Sequence, residues 1–228
     1  MSSNGTGAQP WWWPFPWSRR PRSEVDLAPY RRLAMQLHYD LPQAEGPRTV
    51  LLVTPTSSAF GARGSMLLAC SLAEQLRNPV LLVDACPSEP EASRILECAG
   101  GRGFADFAIN PHVPLSELTL QTSCEHVSFI PAGNGAGGAQ TVPPEAIDAL
   151  LNAAGDTYDF VLLSGGPVLT DPLSVALAPR VRCVLLLVIE NETRVEDLDA
   201  ARDALAYGRA RKVAMLLARP VKCGAWSL

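Results

Sequence analysis

Apolar runs of strand length alternate with stretches of helical spacing along most of this chain, and that alternation limits the folds open to it. Residues 49–54, 80–84, 160–163, 181–189 and 213–217 are short runs rich in Val, Leu and Ile, with a further short strand expected at 127–131. Between them, residues 65–76, 90–98, 144–154 and 194–207 carry helix signals, and 26–39 places Leu27, Tyr30, Leu33, Ala34 and Leu37 on one helical face. Near-continuous apolar strands separated by helices imply βαβ units and an α/β fold: three layers, with a mainly parallel sheet covered by helices on both faces. A length of 228 residues suits one such domain, expected here over 24–220.

Composition excludes several alternatives. A net charge of −4 lacks the clustered basic surface that phosphate backbones require, so no nucleic-acid partner is expected. No apolar stretch reaches the ~18 residues of a spanning helix, and the N-terminus lacks the basic-then-apolar pattern of a signal peptide. The six cysteines are scattered without a CxxC pair and read as reduced thiols. None of the three histidines, His38, His112 and His126, has the spacing of a metal-ligand pair, so no metal site is expected.

The ends differ from the middle. Residues 1–23 form a Trp/Pro-rich tail: Trp11, Trp12, Trp13, Phe15 and Trp17 among Pro10, Pro14 and Pro16, followed by Arg19, Arg20 and Arg22. Prolines at this density oppose a helix or a central strand. The tail reads either as a leader whose aromatics fold back on the domain or as an anchor. Tryptophan favours a membrane interface, and arginine favours anionic headgroups or an acidic partner. Residues 221–228 form a short C-terminal tail, and the glycine-rich stretch 133–138 reads as a loop without function.

The chemistry-bearing segment follows the first strand: Thr54-Pro55-Thr56-Ser57-Ser58-Ala59-Phe60-Gly61-Ala62-Arg63-Gly64-Ser65-Met66. A strand, a loop of small residues and glycines, then a helix is the layout of a P-loop, in which backbone amides surround phosphates, a lysine neutralises them and a hydroxyl holds Mg²⁺. The lysine place is Ser65 and the hydroxyl place Met66. Further on, Leu81-Leu82-Val83-Asp84-Ala85-Cys86 with Pro90, and Tyr158-Asp159-Phe160-Val161-Leu162-Leu163-Ser164 with Gly166, Pro167 and Asp171, complete an ordered set.

Together with Tyr30, Arg31, Leu33, Leu37 and Tyr39, these residues resemble the bacterial tyrosine kinases, a branch of the MinD- and ParA-like P-loop ATPases. The likeness extends over about residues 28–218. It implies a cytoplasmic ATPase at the inner membrane face that partners a membrane-anchored chain-length protein in polysaccharide export, with ATP and Mg²⁺ as cofactors. The sequence departs from that pattern where the chemistry sits. Ser65, Met66, Cys86 and Ser164 stand in the places of the lysine, the hydroxyl and two carboxylates, and Ala218 stands where the family reads adenine. Phosphoryl transfer relies on electrostatic stabilisation by those groups. The expectation is therefore a degenerate member without a catalytic residue or a required cofactor, keeping at most a vestigial nucleotide site at Ala59, Gly61, Arg63, Gly64 and Asp84.

The 221–228 tail has no tyrosine, so the family's phosphoacceptor is missing as well. In the family the Tyr30 helix helps to assemble a ring. Its glutamate and second arginine are replaced here, so a homo-oligomer is a weaker expectation. Partner or membrane contact is expected at Trp11, Trp12, Trp13, Trp17 and Arg31. Secretion of an adhesive polysaccharide such as a holdfast is one setting for such a member. Two other readings stay open: an active autokinase using Arg63 and Asp84 in unusual roles, and a MinD-like positioning factor held at the membrane by its tail.

Overall fold

The computed structural model describes residues 27–42, 46–58, 60–134 and 142–219. The two tails, Ala59 and most of the glycine-rich stretch lie outside the described residues. The strands are β1 (Arg48–Thr54), β2 (Val80–Asp84), β3 (Leu120–Gln121), β4 (Val127–Ile130), β5 (Phe160–Pro167), β6 (Cys183–Ile189) and β7 (Val213–Ala218). They form one seven-stranded sheet in the order β3-β4-β2-β5-β1-β6-β7. All neighbours run parallel except β3, which pairs antiparallel with β4 at the edge.

The helices are α1 (Ala28–Asp40), α2 (Phe60–Leu76), α3 (Glu91–Ile95), α4 (Phe104–Ile109), α5 (Leu115–Leu118), α6 (Pro144–Gly155), α7 (Pro172–Leu177) and α8 (Val195–Tyr207). Alternate residues of each central strand point to opposite faces. On β1, Leu51 and Val53 join the apolar layer under α4 to α8, whereas Val50 and Leu52 join the layer under α1, α2 and α3. Both faces of the central strands are thus dry, which explains their unbroken Val/Leu/Ile character.

The expected α/β architecture is present, with differences at the edges of elements. Helices α4, α5 and α7 span four to six residues, too short to show a period of 3.6. Strand β5 runs on through Gly165 and Gly166, where its register against β1 shifts between Leu52 and Thr54. Helix α2 begins at Phe60, five residues before the expected 65. Ser58 starts it: its hydroxyl accepts from the Phe60 N–H at 3.3 Å, and its carbonyl accepts from the Gly61 N–H at 3.2 Å. Gly61, Ala62, Gly64 and Ser65 are all buried along this first stretch. Their small side chains let α2 lie close to the sheet, which offsets the roughly 1 kcal/mol that each glycine costs a helix.

Candidate functional site

A cleft of about 270 Å³ opens where β1, β2 and β5 end, at the carboxyl edge of the sheet beside the start of α2. In open α/β sheets this edge is where ligands bind. Thr54 comes from β1, Asp84 and Cys86 from the end of β2, and Ser164 from β5. Ser57, Ser58 and Gly61 close one side, and Glu89 and Glu91 the other.

Asp84 is the centre of this wall. It is 1% exposed. Its carboxylate accepts from the Ser93 N–H at 2.8 Å, the Ser93 hydroxyl at 2.7 Å and the Cys86 N–H at 3.4 Å. The Ser93 hydroxyl in turn accepts from the Ala132 N–H at 2.9 Å, so the network joins β2, α3 and the chain leaving β4. Helix α3 has Pro90 at its N-cap and no side-chain cap of its own. Asp84 supplies the missing acceptor from across the cleft. Burial pushes its carboxyl up to about 6, against the pull of the Ser93 and Cys86 donors.

Cys86 fills the place of the expected second carboxylate. Its sulfur lies 3.4 Å from the Ser88 hydroxyl, and burial pushes the thiol up to about 11, which leaves it a poor nucleophile near neutrality. Gly166 faces it. A Cβ at Gly166 would lie 2.6 Å from the Cys86 sulfur and 2.6 Å from Asp171 Oδ2. Asp171 caps α7, accepting from the Leu173 N–H and, at 2.8 Å, from the Ser174 hydroxyl.

The structure separates the expected site residues into two groups. Gly61, Asp84, Cys86 and Ser164 line the cleft. The others do not. Ser65 is fully buried in α2 and donates back to the Gly61 carbonyl at 3.1 Å, and Met66 is 3% exposed among the apolar residues under α2. Gly64 lies against Leu187 and the Tyr30 hydroxyl, 3.7 and 3.9 Å from where its Cβ would be. Arg63 is exposed on α2 rather than carried in a loop. Arg31 pairs with Glu74 of α2 at 3.4 Å, half exposed. Ala59 and the tryptophans of the N-terminal tail lie outside the described residues. The sequence reading missed Ser58, Ser93, Glu89 and Glu91. Of these only Ser58, a capping residue two positions before Phe60, gave a usable signal.

This arrangement does not fit a magnesium-bound triphosphate. The Phe60 and Gly61 amides at the start of α2 are taken up by Ser58, and a Cβ would fit at Gly61 or Gly64, so neither glycine is required for a close backbone approach to a phosphate. Among the described residues, the cleft lining holds three carboxylates, Asp84, Glu89 and Glu91, and no lysine or arginine.

The fold itself has known counterparts. The kinase domain of the Escherichia coli tyrosine kinase ETK superposes with a TM-score of 0.75 over 98% of this chain and 86% of that one, at 17% identity. The chain has the fold of the bacterial tyrosine kinase domains. The VpsO kinase domain shares this kinase fold with a TM-score of 0.68 over 87% of this chain and 100% of its own, at 20% identity. The cell-division protein MinD of Aquifex aeolicus matches at 0.58 over 75% and 68%, with 14% identity. No sequence-family model matches the chain, and no curated protein matches it in sequence. Against the expected kinase motifs, the departures of this chain concentrate in the cleft and at the start of α2.

Proposed function

We propose that this chain is a pseudokinase: a degenerate relative of the bacterial tyrosine kinases that acts as a non-catalytic cytoplasmic component of polysaccharide synthesis and export. In this reading it docks to a membrane-anchored chain-length or export protein at the inner membrane face. The observation that carries the non-catalytic part is the cleft: among the described residues it has three carboxylates and no basic side chain, and the Phe60 and Gly61 amides are already bonded to Ser58. Phosphate oxygens placed there would meet repulsion without compensation. The polysaccharide setting and the partner rest on the resemblance of the Tyr30, Asp84 and Tyr158 motifs to that family.

Titration calorimetry with Mg-ATP, together with a phosphate-release assay on the full chain, tests this. The expected result is no heat of binding and no release above background. Micromolar Mg-ATP affinity that is lost in Asp84→Ala would overturn it and favour an active enzyme with an atypical site.

A further inference from the structure

Strand β7 is the edge of the sheet, and among the described residues only one of its faces is covered. Ala214, Leu216 and Ala218 pack into the apolar layer shared with α1 and α2. The alternate residues Val213, Met215 and Leu217 point to the α8 side and are 39%, 57% and 63% exposed. Three apolar side chains in a row on an open edge strand form a surface that other proteins normally cover or charge.

The charge beside this stripe is graded. Segment 190–203, which leads from β6 into α8, carries Glu190, Glu192, Glu196, Asp197, Asp199 and Asp203 against Arg194 and Arg202. It starts at the carboxyl end of the sheet, next to Leu217, since the Glu190 N–H donates to the Ala218 carbonyl. Arg209, Arg211 and Lys212 lie at the opposite end, before Val213. Helix α1 fixes where the N-terminal segment enters. Its C-terminal Asp40 pairs with Lys212 at 3.2 Å, while Tyr30 near its start and Leu187, the β6 partner of Leu216, both lie beside Gly64. The chain therefore reaches Leu27 at the acidic, carboxyl end of the stripe.

We propose that residues 10–22 of this same chain dock along the open face of β7, with Trp11 to Trp17 over Leu217, Met215 and Val213 and with Arg19, Arg20 and Arg22 against the 190–203 carboxylates. The order of chemistry matches. Counting back from Leu27, the arginines come first and meet the acidic end, and the tryptophans follow along the stripe away from it. The lengths match as well. The stripe runs on the order of 13 Å at ~3.3 Å per strand residue. A seven-residue segment such as 11–17 in polyproline geometry would cover about 19 Å at ~3.1 Å per residue. The ten residue steps from Trp17 to Leu27 reach roughly 33 Å when extended, enough to round the sheet edge. The docked segment is then unavailable to a membrane or partner until that surface outcompetes β7. The inference does not depend on the polysaccharide reading.

All five tryptophans, at 11, 12, 13, 17 and 226, lie in the two tails, so intrinsic fluorescence reports on the tails alone. The test uses full-length protein in the Trp226→Phe background without lipid. Docking predicts blue-shifted emission, shielded from acrylamide and independent of protein concentration. The double variant Met215→Glu/Leu217→Glu should expose the tryptophans while far-ultraviolet circular dichroism stays the same. Reversal of Arg19, Arg20 and Arg22 to glutamate should expose them too, in a variant whose domain is untouched. Emission already at the solvent-exposed position in the parent would overturn the proposal, as would indifference to both sets of changes. Shielding that disappears on dilution together with a dimer in sedimentation would also overturn it, because a second copy would then be the occupant.

Discussion

Asp84 and Ser93 are joined by two hydrogen bonds to one carboxylate oxygen, from the Ser93 N–H at 2.8 Å and the Ser93 hydroxyl at 2.7 Å. A carboxylate committed in this way acts as a structural clamp between β2 and α3. The motif aspartate that survives from the kinase pattern thus has a role in holding the fold that does not need a nucleotide.

The clamp has a pH signature. The Asp84 carboxyl is raised from 3.8 to about 6 by burial, so the folded state binds its proton more tightly than the unfolded state. Its ionisation therefore opposes folding above pH 6, and the penalty fades as pH falls from 6 towards 4. Two pH units correspond to about 3 kcal/mol as an order of magnitude. Urea midpoints should show stability of the parent rising from pH 7.5 to pH 5 relative to Asp84→Asn, in which that slope is absent. Equal slopes in the two proteins would show that Asp84 is not raised.

Breaking the clamp from its other side should destabilise the domain. Ser93→Ala removes the hydroxyl that bonds both Asp84 and the Ala132 N–H, leaving a buried charge with fewer donors. The expected loss is about 2 kcal/mol at pH 7.5, and it should shrink at pH 5 as Asp84 takes up its proton. Chemical denaturation at the two pH values measures both quantities.

Restoring the P-loop lysine should not restore an enzyme. Ser65 is fully buried inside α2, so Ser65→Lys places an ammonium among apolar side chains rather than facing the cleft. A loss of roughly 3 kcal/mol or more is expected, with phosphate release still at background. A variant as stable as the parent that turns over ATP would show that α2 can unwind at Phe60 and rebuild a cradle.

The contact of Gly166 with Cys86 and Asp171 predicts that any side chain at 166 is harmful. Gly166→Ala should cost about 1–3 kcal/mol by overpacking, because its Cβ would lie 2.6 Å from both the sulfur and the carboxylate oxygen. Adding Cys86→Gly should recover part of that loss, and adding a distant change such as Cys183→Ala should not. Thermal denaturation of the single and double variants separates the two outcomes.

The N-terminal segment should be dispensable for folding. Deleting residues 2–23 is expected to leave one cooperative unfolding transition of the domain while releasing the protein from the membrane fraction of cells. Loss of cooperative unfolding would place the tryptophans in the core. Retention at the membrane would move the contact to the folded domain, with the half-exposed Arg31 as the first residue to change.

The central strands were legible because burial on both faces demands unbroken apolar runs, and β2 falls where residues 80–84 placed it. The start of α2 was not. Gly61 and Gly64 suggest a loop when local propensity is read alone, whereas tertiary packing against Thr54, Tyr30 and Leu187 favours a helix of small residues. Helices α4, α5 and α7 were invisible because one or two turns carry no periodicity. At the site, the substitutions at Cys86 and Ser164 were readable by position. The other two cleft carboxylates, Glu89 and Glu91, follow Asp84 in the same β2–α3 connection, but that they face the cleft was visible only in the fold.

The filled space between Gly166, Cys86 and Asp171 also couples these three positions. A larger side chain at 166 is accommodated only if the sulfur or the carboxylate gives way with it, so this part of the cleft tolerates change in combination far better than one residue at a time.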